Sequence, residues 1–255
     1  MSTSSASPAE AGGTPAAAPS RRMVDAPTRA FHWLFALSFA GAYLTAESDR
    51  WQLVHVTLGY TLAGLLAFRL LWGLLGPRHV RLGLWTARLC SAPALAQSLR
   101  NGRLNLSATL PLLNALAVLA LLALAAVVTA SGYLLYDEAF SSGILEDALE
   151  EVHEAVANGM LAVVLLHLAL IVGGALHTGP RQIQAMVTGR IPGRGPDLAR
   201  NSHSLLAMLM LAAVLAFWTW QWQGAPAPDR GEPGAIGASQ ELRARSPGKR
   251  HHDDD

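Results

Sequence analysis

The 255-residue sequence predicts an all-α membrane protein: a four-helix transmembrane bundle with a fifth, C-terminal transmembrane helix. Two observations predict the class. Five apolar segments approach or exceed the ~20 residues that span a bilayer, and none carries the polar stripe of a helix on a soluble protein's surface. Basic residues fall on alternate connections between them, as the positive-inside rule requires of a multi-pass chain. A third observation bears on what the bundle holds: four histidines stand within or at the ends of these segments, at depths that match in twos.

The composition is apolar and sparsely charged, 51% hydrophobic against 15% charged. A lone cysteine, Cys90, excludes an internal disulfide and a cysteine-ligated metal cluster. C-x-x-C-H is absent, so any haem is non-covalent and b-type. The net charge of +1 carries no message by itself, and no nucleic-acid partner is expected.

Residues 1–22 are expected as a disordered tail, because Ser, Ala, Pro, Gly and Thr cannot bury enough surface to offset chain entropy. Arg21 and Arg22 before an apolar run suggest a twin-arginine export signal. The run holds His32 and Trp33 and lacks a small-residue cleavage site, which argues against it. The apolar segments are 30–46, 53–75, 110–135, 156–176 and 205–222. Residues 23–190 make the four-helix domain, 191–223 the additional transmembrane helix, and 224–255 a disordered tail. His251 and His252 lie in that tail beside three aspartates and read as part of a solvated terminus.

Twelve arginines flank one side of these segments: Arg21, Arg22 and Arg29; Arg78, Arg81, Arg88, Arg100 and Arg103; Arg181, Arg190, Arg194 and Arg200. On the other side Arg50 stands alone, and residues 136–152 hold six acids with no Lys or Arg. The expected topology follows, with a cytoplasmic N-terminus, an acidic outer loop and a C-terminus on the outer side.

Depth then pairs the histidines. His32 begins the first segment near the inner surface, and His55 begins the second near the outer one. His153 precedes the fourth segment at the outer surface. His167 follows fourteen residues later, on nearly the same helix face and roughly 21 Å deeper. His32 with His167, and His55 with His153, form an inner and an outer layer. Two imidazoles from facing helices are what a six-coordinate, bis-histidine iron needs. Two haem b groups and an electron-carrying role are therefore expected. The plain alternative places each histidine at the interface, where polar tips are tolerated. Zinc is a weaker rival, since no Cys or carboxylate joins either layer.

Arg69, fourteen residues after His55, reaches the inner layer. It either pairs with haem propionates or snorkels to the headgroups. Gly59, one turn after His55, would let a flat macrocycle approach. Packing between membrane helices explains Gly59, Gly64 and Gly132 equally well.

Three stretches, APTRAFHWLFALSF, VHVTLGYTLAGLLAFRLLWGLLGPRHVR and EVHEAVANGMLAVVLLHLALIVGGALH, resemble the bacterial cytochrome b561 family, which is related to the cytochrome b subunits of nickel-iron hydrogenases. The resemblance covers roughly residues 24–190 and rests on three motifs: R-x-x-H-W, H-x-x-x-G with R-L-x-W-G, and H-E with a second His fourteen residues on. It implies four membrane helices, two b haems ligated by His32 with His167 and His55 with His153, and electron passage between a quinone pool and an outer-face redox partner. That partner would be a periplasmic cytochrome or an enzyme subunit. Residues 105–114 lack the histidine many relatives carry there, and the fifth segment lies beyond the family core. His79, His177 and His203 fall on the cytoplasmic side, where a quinone could bind, but read first as surface residues.

Two other classes compete. A transporter or proton channel could use the histidines and Arg69 as relays, but inverted repeats and broken spans are missing. A passive anchor for a redox enzyme would need no paired histidines. The acidic loop offers a docking surface for a basic partner, or merely obeys topology.

Overall fold

The computed structural model describes residues 19–77, 80–81, 90, 93, 97, 100–101, 106–136, 143–199 and 201–224. The chain divides into a compact unit, Met1–Trp218, and a second one, Thr219–Asp255.

Helix α1 (Ala26–Thr45) starts where Asp25 accepts the Thr28 amide at 3.1 Å and Pro27 presets the first turn. It ends with Ala46 N–H bonded to the Tyr43 carbonyl, one residue tighter than an α-turn. A 3₁₀ turn (Asp49–Trp51) leads into α2 (Gln52–Leu75). Helix α3 (Leu106–Tyr136) follows, then α4 (Ile144–Thr178), bounded by Gly143 and Gly179 at φ +67° and +88°. Short α5 (Arg181–Thr188) stops at left-handed Gly189. The last helix is α6 (Ser204–Gly224).

Four helical stretches are long and apolar enough to cross a membrane: Asp49–Leu75, Leu106–Tyr136, Ile144–Thr178 and Ser204–Gly224. The sequence predicts five crossings, and α1 is not among the four. It is helical over the predicted stretch, but Arg29, His32 and Ser38 dilute its apolarity.

Helix α4 outlasts the hydrocarbon. Its 35 residues extend roughly 52 Å, against a core of roughly 30 Å. Much of the acidic stretch read as a loop is therefore helix: Glu146 and Asp147 form its first turn, with Glu150 and Glu151 in the next. Asp137 and Glu138 lie outside the described residues.

Two clusters hold the bundle together. Phe39, Leu62, Leu66, Ala125, Val128 and Met160 join α1 to α4. Phe31 and Leu65 meet Met210 and Val214 of α6. Lipid tails are as apolar as these side chains, so close packing and interhelical hydrogen bonds supply the cohesion. Ala115 and Ala125, fully buried, permit near approach, and the Trp218 indole donates to Thr61 Oγ1 at 2.9 Å.

At one end the chain ties itself off. Strands β1 (Ser20–Arg22) and β2 (Arg190–Pro192) pair antiparallel, so the close of the predicted N-terminal tail is ordered here. The Arg22 amide reaches Asp197 Oδ1 at 2.6 Å, the Met23 amide bonds to the Gly189 carbonyl, and the Ala26 amide to the Ser202 carbonyl.

Candidate functional site

His55 leaves the first turn of α2, and His153 lies in α4. The fold brings them together edge to face, ring centres 6.2 Å apart and planes 70° from parallel.

The other side of each ring is anchored. His55 Nδ1 stands 2.8 Å from the Ala42 carbonyl. A carbonyl only accepts, so Nδ1 carries the proton and Nε2 keeps its lone pair. That carbonyl is available because α1 closes on Tyr43 rather than Ala42. His153 Nδ1 lies 3.1 Å from Ser131 Oγ, which itself donates to the Val128 carbonyl at 3.2 Å. The hydroxyl's proton is thus committed, its lone pairs accept from Nδ1–H, and His153 Nε2 is likewise free to bind a metal. Gly132 makes room for this ring: a Cβ there would stand 2.8 Å from His153 Cε1.

The second pair differs. His32 of α1 and His167 of α4 lie within electrostatic reach of each other. Nδ1 of each is buried without a hydrogen-bond partner among the described residues. Orphaned buried polar atoms are uncommon and call for a reason. Among the described residues, no three or more His, Cys, Asp or Glu side chains are arranged so that they could hold a metal ion by themselves.

Arg69 is buried, at 7% exposure, and donates from Nη1 to the Val80 carbonyl at 3.3 Å. Its electrostatic neighbour is Asp25, fully buried, which also accepts the Trp72 indole N–H at 3.3 Å. The arginine is thus held inside the protein. Asp25 is a site neighbour that the hydropathy reading passed over. Its signal was an Asp directly before a proline-started helix. Ser131 and Ala42 gave no such signal, since each acts across a helix–helix interface.

Among the described residues, Gly59 and Gly64 have nothing within 4 Å of a notional Cβ, and at Gly59 this leaves open space one turn from His55. His177 Nε2 meets Ser107 Oγ at 3.3 Å on an exposed surface, and His203 sits edge-on to Trp72. Cys90 is exposed. His79, His251, His252, Arg78, Arg88, Arg103 and Arg200 lie outside the described residues.

Two imidazoles with unshared Nε2 lone pairs and ring centres this close could hold one metal ion between them. Residues 23–189 match the family model described as prokaryotic cytochrome b561. Neither the curated proteins nor the solved structures offer a match to the chain. The chain belongs to the prokaryotic cytochrome b561 family, and as such is a membrane b-type cytochrome that transfers electrons.

Proposed function

We propose that this cytochrome b561 family member carries single electrons across the bacterial inner membrane, between a quinone pool and a redox partner at the outer face, through two haem b groups. His55 and His153 would hold one group, His32 and His167 the other. The observation that carries the reading is the 6.2 Å between the His55 and His153 ring centres. Two imidazoles brought this close from different helices are what would be needed to hold a haem iron between them. The open space beside Gly59 also fits a bulky planar group lying between helices.

When bound, haem supplies a one-electron couple whose potential responds to its ligands and burial. The chain supplies the rest. Ala42 and Ser131 fix the ring orientation of the outer ligands. Arg69 brings a buried positive charge to the depth of the inner pair, where propionates would share it with Asp25. Phe39, Leu62, Leu66 and Met160 fill the interior between the layers and keep water out. The fourteen-residue ligand spacing on α4 sets the layers roughly 21 Å apart along the helix.

In this reading α1 crosses as a fifth span, held by the partners of Phe31 and Phe39 despite its weaker apolarity. The arginine-flanked ends are cytoplasmic and the acidic start of α4 is periplasmic. Pure protein in detergent should give a reducible b-type spectrum with about two haems per chain. His55→Ala and His153→Ala should each remove one haem and leave the other. Retention of both haems in all four single His→Ala variants would overturn the ligand assignment, and colourless protein would overturn the function.

A further inference from the structure

The two imidazole pairs are built differently, and the difference falls on the atoms that tune a metal. Both Nδ1 atoms of the outer pair donate to an acceptor on a neighbouring helix: His55 to the Ala42 carbonyl and His153 to Ser131 Oγ. Ser131 Oγ in turn donates to the Val128 carbonyl at 3.2 Å. Neither Nδ1 of the inner pair has a partner among the described residues. A hydrogen bond from the non-ligating ring nitrogen raises the basicity of the ligating one and fixes the ring. A more basic ligand favours ferric over ferrous iron, so it lowers the potential. Nearby charge acts in the same direction: Glu150, Glu151 and Glu154 stand within one turn of His153, whereas only apolar residues flank His167.

Resting on the haem reading above, we infer that Ser131 is a positioning residue for His153, and that the outer site has the lower potential of the two because its imidazoles are anchored at Nδ1. The serine touches no substrate and no metal; it acts only through the ring. Sequence alone hides this role, since Ser131 looks like any small residue at a membrane helix interface.

The test is a spectroelectrochemical titration of the wild type, Ser131→Ala, Ser131→Thr and His153→Ala, with haem content measured on each. In Ser131→Ala about two haems per chain remain, and one midpoint rises while the other stays. A tenfold change in ferric-over-ferrous preference, the lower end of outer-shell effects, is about 59 mV for one electron. Ser131→Thr keeps the hydroxyl and the wild-type midpoints. The single haem left in His153→Ala titrates near the higher wild-type value. Unchanged midpoints in Ser131→Ala, an equal shift of both, or no rescue by threonine overturns the role of Ser131. A lower-potential haem surviving in His153→Ala overturns the ordering, and stands as a test even where Ser131→Ala fails to fold. Wild-type protein without haem overturns the underlying reading as well, which separates the two failures.

Discussion

At the scale of single residues, the outer pair depends as much on what is missing beside His153 as on the imidazole itself. A methyl at position 132 would meet His153 Cε1 at 2.8 Å and Nδ1 at 3.2 Å. The ring cannot retreat without breaking its bond to Ser131, and α3 and α4 are closely paired here. Gly132→Ala should therefore lose one haem and keep the other, taking haemochrome absorbance per chain down by about half, while Gly59→Ala alone meets no protein atom. Arg69 makes a different kind of prediction. Removing a buried charge whose electrostatic neighbour is also buried leaves that neighbour less compensated and destabilises the fold. Arg69→Gln should lower the thermal unfolding midpoint clearly, and adding Asp25→Asn should recover part of the loss; strictly additive effects would show the two charges are independent. That His55 meets His153, and that His32 neighbours His167, is legible in the sequence because helical spacing and segment order convert directly into depth. Asp25, Ser131 and the Ala42 carbonyl were not, because their roles depend on which faces of different helices meet.

Elements tell a similar story about boundaries. Hydropathy marks the apolar part of a helix, not where the helix starts, so the fourth apolar segment begins at residue 156 although α4 begins at Ile144. A helix needs only its backbone ladder, and the acids in its first turns favour the positive N-terminal end of the dipole. Conversely, α1 is fully helical yet too polar to stand among the four most apolar stretches, since it must present Arg29 and His32. Packing also ranks the helices. Met160, at 1% exposure, sits where α1, α2, α3 and α4 converge. Met160→Ala leaves a void that these helices cannot easily close, with a loss of about 2 kcal/mol, at the low end because lipid offers no hydrophobic drive. Helix α6 is held more lightly: Trp218→Phe removes one interhelical hydrogen bond, worth about 0.6 kcal/mol. Unfolding midpoints should drop in the first variant and barely move in the second, with haem content of Trp218→Phe unchanged.

For the whole molecule, charge is the feature that gives it direction. The strands, Arg22, Arg29 and Arg190 gather at the end where α1 begins, and the acids of α4 at the other. Cys90 supplies a native marker for this polarity: in intact cells stripped of the outer membrane, a membrane-impermeant maleimide should miss Cys90 and label Glu146→Cys in a Cys90→Ser background. The reverse pattern would invert the protein and exchange the two layers. If the polarity holds, the exposed acids at the start of α4 stand beside the outer pair, three of them within a turn of His153. A basic soluble redox protein would then be drawn to the place where its electron has the shortest path, and complementary charge raises encounter rates strongly at low salt. Replacing Glu146, Asp147, Glu150 and Glu151 by their amides should slow reduction of such a partner by about tenfold or more at low ionic strength and flatten its salt dependence. Haem content should not change, because none of these four side chains holds the ring. Rates and salt slopes that match the wild type would mean that the acids serve topology alone.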